Sequence, residues 1–278
     1  MRHALRFVPL IVLALAGAAS AQAPAVQPAA APNPNAKFGQ ALTGLNSLNT
    51  ASIVYSGLGT AVVPGSKAHT PQPVSNFRVA INYGMEMLSV EVEQLGKPHH
   101  IAQYLAEGKA WDVMEKKIVP RPDAVHERLR LMFMTPHGVM KAAQDAGSKR
   151  VMANEMVDGK LVATMVFPAG TFSLKAYFDD KATITRVHTM SGDAKLGKSV
   201  VEFLYNDYKD YDTLKAPTGP KPGGAAAAAI YGGIPFPSHI VQKVDGVTIL
   251  DITLTEVTPN AGLVLDVPPA VQKAGGRR

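Results

Sequence analysis

The 278-residue chain contains no cysteine. Disulfides, thiolate metal sites and a thioether-linked lipid are therefore excluded, and the fold has to be held by its core. Aromatic residues are 6% of the chain, with one tryptophan, and charged residues are 18%. Basic pairs such as Lys149-Arg150 and Arg277-Arg278 are short and scattered, and aromatics are not interleaved with them. A nucleic-acid surface needs a basic stripe, so no nucleic-acid partner is expected. Beyond the first residues there is no apolar run of the ~20 residues that a spanning helix requires, so no transmembrane segment is expected.

Catalytic signatures are missing too. There is no G-x-S-x-G elbow for a nucleophilic serine. His126-Glu127 has Arg130 where a zincin has its second histidine. His99-His100 are adjacent and have no third ligand at a readable spacing, so no metal and no cofactor are expected. His137 and His239 read as structural histidines that hydrogen-bond nearby groups. Asp179/Asp180 and Asp207/Asp210 lie in turns or at strand exits, where they do not converge for acid–base work. Gly223-Gly224 and Gly232-Gly233 belong to low-complexity sequence and are not phosphate loops.

The N-terminus carries a pattern of its own. Arg2, His3 and Arg6 precede an apolar stretch from Phe7 to Ala18, and Ala19-Ser20-Ala21 offers small residues at a cleavage site. These three parts are those of an export signal. Residues 1–21 are expected to be removed and the mature chain to be periplasmic. Residues 1–21 hold Arg2 and Arg6 and no acid, so cleavage takes two from the net charge of +6 and leaves a mild +4.

Residues 22–36 are rich in Ala and Pro and read as a disordered linker. Phe38, Leu42, Leu45 and Leu48 follow at helical spacing. Ser52–Val63 reads as a strand bent at Gly57 and Gly59. Asn76–Tyr83 and Met87–Glu93 are strands, the second with Leu88, Val90 and Val92 on one face. Pro122-Asp123 starts a helix, and Thr135-Pro136 restarts it as N-cap and N1 until Gly147. Then come strand pairs about Asp158-Gly159, Asp179-Asp180-Lys181 and Asp245-Gly246. Residues 215–233 form a low-complexity insertion, and 271–278 read as a disordered basic tail. The pattern predicts an α+β domain over 37–270: a large curved antiparallel sheet, an incomplete β-barrel, covered by helices on its apolar face.

Two stretches carry a family resemblance. One is Thr135-Pro136-His137-Gly138-Val139-Met140. The other runs from Phe203-Leu204-Tyr205-Asn206-Asp207-Tyr208, through Gly233-Ile234-Pro235-Phe236-Pro237-Ser238-His239, to Val257-Thr258-Pro259-Asn260. Together they resemble the exported domain that precedes some metallo-β-lactamase-fold hydrolases, which is similar to lipoprotein carriers of the LolA/LolB type. The resemblance implies a half-barrel closed by helices around an apolar cavity. It does not extend to the hydrolase activity, because no His-x-His-x-Asp-His motif occurs in these residues.

The expected function is accordingly a non-catalytic, periplasmic binding or carrier domain for an apolar or amphiphilic, lipid-like ligand. The alternatives are a module that binds a separate exported protein and a hydrolase of unrecognised type. Methionines are adaptable fillers, and those of the helices fit either a core or a ligand groove. The residues expected to line the groove are Leu88, Val90, Leu129, Met132, Phe133, Met140, Phe203, Tyr205, Leu250, Ile252 and Leu254.

Overall fold

The protein's fold was analysed in a computed structural model that describes residues 33–62, 70–96, 100–190, 199–211 and 233–274. The export signal, residues 22–32 of the linker and residues 215–232 of the insertion lie outside the described residues.

Helix α1 (Pro34–Gly44) begins where Asn33 accepts hydrogen bonds from the amides of Asn35 and Ala36, with Pro34 at N1. The helix therefore takes in the last residues assigned to the linker. Six strands follow in a meander: β1 (Ser52–Ala61), β2 (Gln72–Asn82), β3 (Met87–Gln94), β4 (His100–Ala106), β5 (Lys109–Met114) and β6 (Lys117–Pro120). Helices α2 (Val125–Met134) and α3 (Pro136–Ala146) come next. A second meander runs through β7 (Val151–Val157), β8 (Lys160–Ala169), β9 (Phe172–Phe178), β10 (Ile184–Met190), β11 (Val200–Tyr211), β12 (Ile234–Val244) and β13 (Val247–Pro259). A short helix, α4 (Pro269–Ala274), ends the described chain.

All described pairings are antiparallel, and the sheet has 13 strands in the order β6-β5-β4-β3-β2-β1-β13-β12-β11-β10-β9-β8-β7. The two meanders meet at β1 and β13, and the sheet stays open because β6 and β7 are its two edges. Helices α2 and α3 form the connection between those edges. An α+β half-barrel covered by helices is thus what the sequence pattern anticipated, though with more strands than the pattern gave.

The extra strands have a physical explanation. The β4–β5 turn places Glu107 and Gly108 at φ of 51° and 66°, and the β5–β6 turn places Glu115 and Lys116 at 48° and 70°. Two-residue hairpins need positive φ at both positions, and Asn or Gly usually supplies it. Here non-glycine residues fill most of those positions, so the usual hairpin signal is absent. The pairs Asp158-Gly159 and Asp245-Gly246 carry that signal and do turn β7–β8 and β12–β13, all at positive φ.

Strand β1 is irregular against both of its neighbours: the register shifts between Ser56 and Gly57 against β13 and between Gly57 and Gly59 against β2. A Cβ on Gly57 would stand 2.4 Å from the Thr253 carbonyl oxygen, and one on Gly59 would stand 2.0 Å from that of Asp251. Only glycine allows this approach at the strand that joins the two meanders.

The core lies between the concave face and α1–α3, and includes Ile53, Ile81, Leu105, Met140, Met165, Phe167 and Phe236. A smaller apolar cluster covers part of the convex face: Met87, Ala106 and Trp111 pack with Val267 and Val271. Residues 271–274, expected to belong to a disordered tail, are therefore the last turn of α4, anchored by Val271 at 3% exposure. Apolar positions at 263, 265, 267 and 271 give that strap its hold on the back of the sheet.

Thr135 caps α3 as expected, accepting from the Gly138 amide at 3.2 Å. His137 behind it is fully buried and donates from Nε2 to the Leu45 carbonyl at 2.9 Å. It ties α3 to the turn after α1, the structural role its position implied. Burial pushes its pKa down to about 4, so the ring is neutral at pH 7.

Two outcomes follow. Gly59→Ala destabilises the fold by about 1–3 kcal/mol in urea unfolding, through strain at the bulge. The His137 pKa lies below its unfolded value of 6.5, so the unfolded chain gains the proton first as pH falls. Stability is then lost between pH 6.5 and about 4. From pH 7 to pH 5 the loss from this residue is about 2 kcal/mol, and the drop is smaller by that amount in His137→Asn.

Candidate functional site

Alternation along the N-terminal strands puts one set of side chains on the concave face. Cross-strand register aligns Phe77 with Val92, Val79 with Val90 and Ile81 with Leu88. The rows continue as Val92–Ile101–Met114 and Val90–Gln103–Asp112. From the other meander, Leu250, Gln242 and Phe203 form a matching row across β13, β12 and β11. Between these walls and α2 lies a cavity of about 670 Å³, within the size range of small-molecule sites.

Most of the wall is hydrocarbon: Tyr55, Phe77, Val79, Ile81, Leu88, Val90, Val92 and Ile240 all line it. The charged lining groups, Asp112, Arg121, Glu127 and Arg130, come from β5, the segment after β6 and α2, while Gln103, Gln242 and Thr135 are neutral polar members of the wall. The cavity is therefore amphiphilic, with an apolar body and a charged margin.

The charged margin is also a structural lock. Asp112 is 5% exposed and lies between two arginines. Arg121 donates to its Oδ2 at 2.7 Å, and Arg128 of α2 donates to its Oδ1. Arg121 continues to Asp123 at 2.9 Å. Arg128, 2% exposed, also donates to the carbonyls of Tyr104 at 2.6 Å and Trp111 at 2.7 Å. One buried guanidinium thus fastens α2 to β4 and β5 through three hydrogen bonds, with its charge matched by Asp112.

Of the residues expected to line a groove, Leu88, Val90, Phe203 and Leu250 line this cavity. Leu129, Met132, Phe133, Met140, Tyr205, Ile252 and Leu254 do not, and all seven belong to the core or pack against it. For α2 the reason is the helical period. Glu127, Arg130 and Leu131 share the cavity face, whereas Leu129 and Phe133 lie on the opposite side. Phe133 there meets Phe172 of β9 at 6.4 Å. Amphipathicity identifies the buried face of a helix, and here the cavity takes the other one. Met140 and Met132 are fully buried fillers. Tyr205 donates to the Met134 carbonyl at 2.8 Å and pins the end of α2 to the sheet. Ile252 and Leu254 are pressed against the glycine bulge of β1.

The rest of the wall was not named from the sequence. Phe77, Val79 and Ile81 alternate in a strand the sequence does show. Ile101, Gln103 and Asp112 lie in β4 and β5, whose turns lack a glycine-rich signature.

Among the described histidines, His239 meets Asp251 at 2.8 Å on the convex face, and His188 stands beside Tyr177 at 3.4 Å on the same outer side. Neither lines the cavity. Among the described residues, no three His, Asp or Glu side chains group closely enough to hold a metal ion, and no helix is long and apolar enough to cross a membrane.

Removing Asp112 leaves the Arg128 charge buried and unmatched. Asp112→Ala is expected to cost about 3–5 kcal/mol in denaturant unfolding, and Asp112→Leu with Arg128→Met recovers most of the loss.

No protein-family model and no curated protein matches the sequence. Solved structures similar to it include a LolA superfamily protein from Nitrosomonas europaea, at 11% identity and a TM-score of 0.45, covering 87% of this chain and 97% of that one. A DUF1329 family protein from Desulfovibrio piger is similar at 9% identity and a TM-score of 0.47, covering 83% and 94%. The Mycobacterium tuberculosis lipoprotein LppX is similar at 11% identity and a TM-score of 0.26, covering 58% and 91%.

Proposed function

We propose that the protein is an exported, non-catalytic binding or carrier domain whose cavity takes one apolar or amphiphilic ligand of lipid-like chemistry. The observation that carries this reading is the 670 Å³ space under α2, with hydrocarbon walls and charges confined to one margin. Apolar surface enclosed this way is costly to leave in contact with water. Each buried methylene of a ligand contributes about 0.8 kcal/mol. The charged margin beside Arg121 and Glu127 gives a polar head somewhere to remain hydrated while the chain is buried. The periplasmic address rests on the sequence of residues 1–21.

Filling the cavity tests the reading. Val90 is half-buried and lines the space. Val90→Trp is expected to keep the fold, by circular dichroism, and to weaken binding of the apolar fluorophore 1-N-phenylnaphthylamine by roughly tenfold, the equivalent of displacing about two methylenes. Unchanged fluorophore binding by a folded Val90→Trp protein, or no binding by the parent, counts against the cavity as the site.

A further inference from the structure

Three tyrosines are buried in the main core, Tyr55, Tyr83 and Tyr205, and a fourth, Tyr208, packs half-buried against it. A buried phenol hydroxyl ordinarily finds a partner, because leaving one unpaired forfeits its hydration. Three of the four obey. Tyr83 is hydrogen-bonded to Thr135 Oγ1 at 2.9 Å, Tyr205 donates to the Met134 carbonyl at 2.8 Å, and Tyr208 donates to the Ile184 carbonyl at 2.6 Å. Tyr55, at 7% exposure, is the exception: among the described residues its hydroxyl makes no hydrogen bond, and it is not one of the sealed, unpaired polar atoms, so the oxygen still reaches solvent. It is also one of the residues that line the cavity.

Its surroundings restrict what can pair with it. The ring is held between Phe77, 6.5 Å away, and Phe236, 5.2 Å away. Its strand neighbours across β2 and β3 on this wall are Val79 and Val90. Phe236 also stacks on His137 of α3, 5.8 Å away, so the Tyr55 ring is one ring removed from the start of α3, where Thr135 also lines the cavity. Thr135 Oγ1 is already committed to the Met132 carbonyl, the Gly138 amide and Tyr83. Burial keeps the Tyr55 phenol protonated, so it has one proton to donate.

We propose that the Tyr55 hydroxyl is the hydrogen-bond donor within the aromatic and aliphatic part of the cavity wall, and that the ligand carries an acceptor oxygen, such as an ester carbonyl, next to its apolar chain. This rests on the cavity being the binding site and names the feature that separates its ligand from plain hydrocarbon.

Tyr55→Phe removes the hydroxyl and keeps the ring. The probes are methyl dodecanoate and n-tridecane, each displacing 1-N-phenylnaphthylamine from the full protein. The expected result is an affinity loss of about fivefold to tenfold for the ester, with the hydrocarbon unchanged. Equal effects on both probes, or no effect on either, overturn the Tyr55 assignment and leave the cavity reading standing; the hydroxyl then holds water only. Failure of the parent protein to bind either probe overturns both. If Tyr55→Phe does not fold, the Cζ resonance of Tyr55 in the ¹³C-labelled parent decides. A shift with the ester alone supports the assignment, and an identical response to both probes refutes it.

Discussion

Everything in this fold depends on the pairing of β1 with β13. The meanders β1–β6 and β7–β13 are joined in the sheet only through this pair. Joining them at β1–β13 makes one 13-stranded surface, and the approach of Gly57 and Gly59 to the β13 backbone lets that surface bend at the join. A sheet that curves without closing leaves a space on its concave side. The α2–α3 connection runs from one free edge to the other and fills part of it. What it does not fill is the cavity.

The division of labour among the helices follows from their contacts. Helix α3 carries the fully buried Val139, Met140 and Ala143 and packs on β8 and β10. It behaves as core. Helix α2 is fastened at both ends, by Arg128 to Asp112 and by the Tyr205 hydroxyl at Met134. Between those anchors its charged face overlooks the cavity. A charged helix face over an aliphatic wall is a poor core and a good amphiphile site, because water and polar heads can meet the charges while the chain stays dry.

How much of this the sequence carried can be judged from particular residues. The glycine pair in β1, the Thr135-Pro136 helix start and the Asp-Gly hairpins were legible because each demands one backbone geometry. Strands β4 to β6 were not, because Glu115 and Lys116 turn the chain without the usual residues. The cavity was half legible. Strand alternation identified Leu88, Val90, Phe203 and Leu250. The α2 residues were assigned to the wrong face, since hydrophobic spacing cannot distinguish a face packed on protein from one left open to a ligand. Tyr55 gave no signal at all: its significance lies in a hydrogen bond that every comparable buried tyrosine makes and it does not.

Occupancy of the cavity under α2 decides whether it is a ligand site. Native mass spectrometry of the full protein recovered without detergent from the cells that make it reads that occupancy. An occupied cavity gives a mass above that of the polypeptide, from one amphiphile released on unfolding and retained less by Val90→Trp. A bare polypeptide mass from repeated preparations, with solvent extracts free of amphiphile, would contradict it.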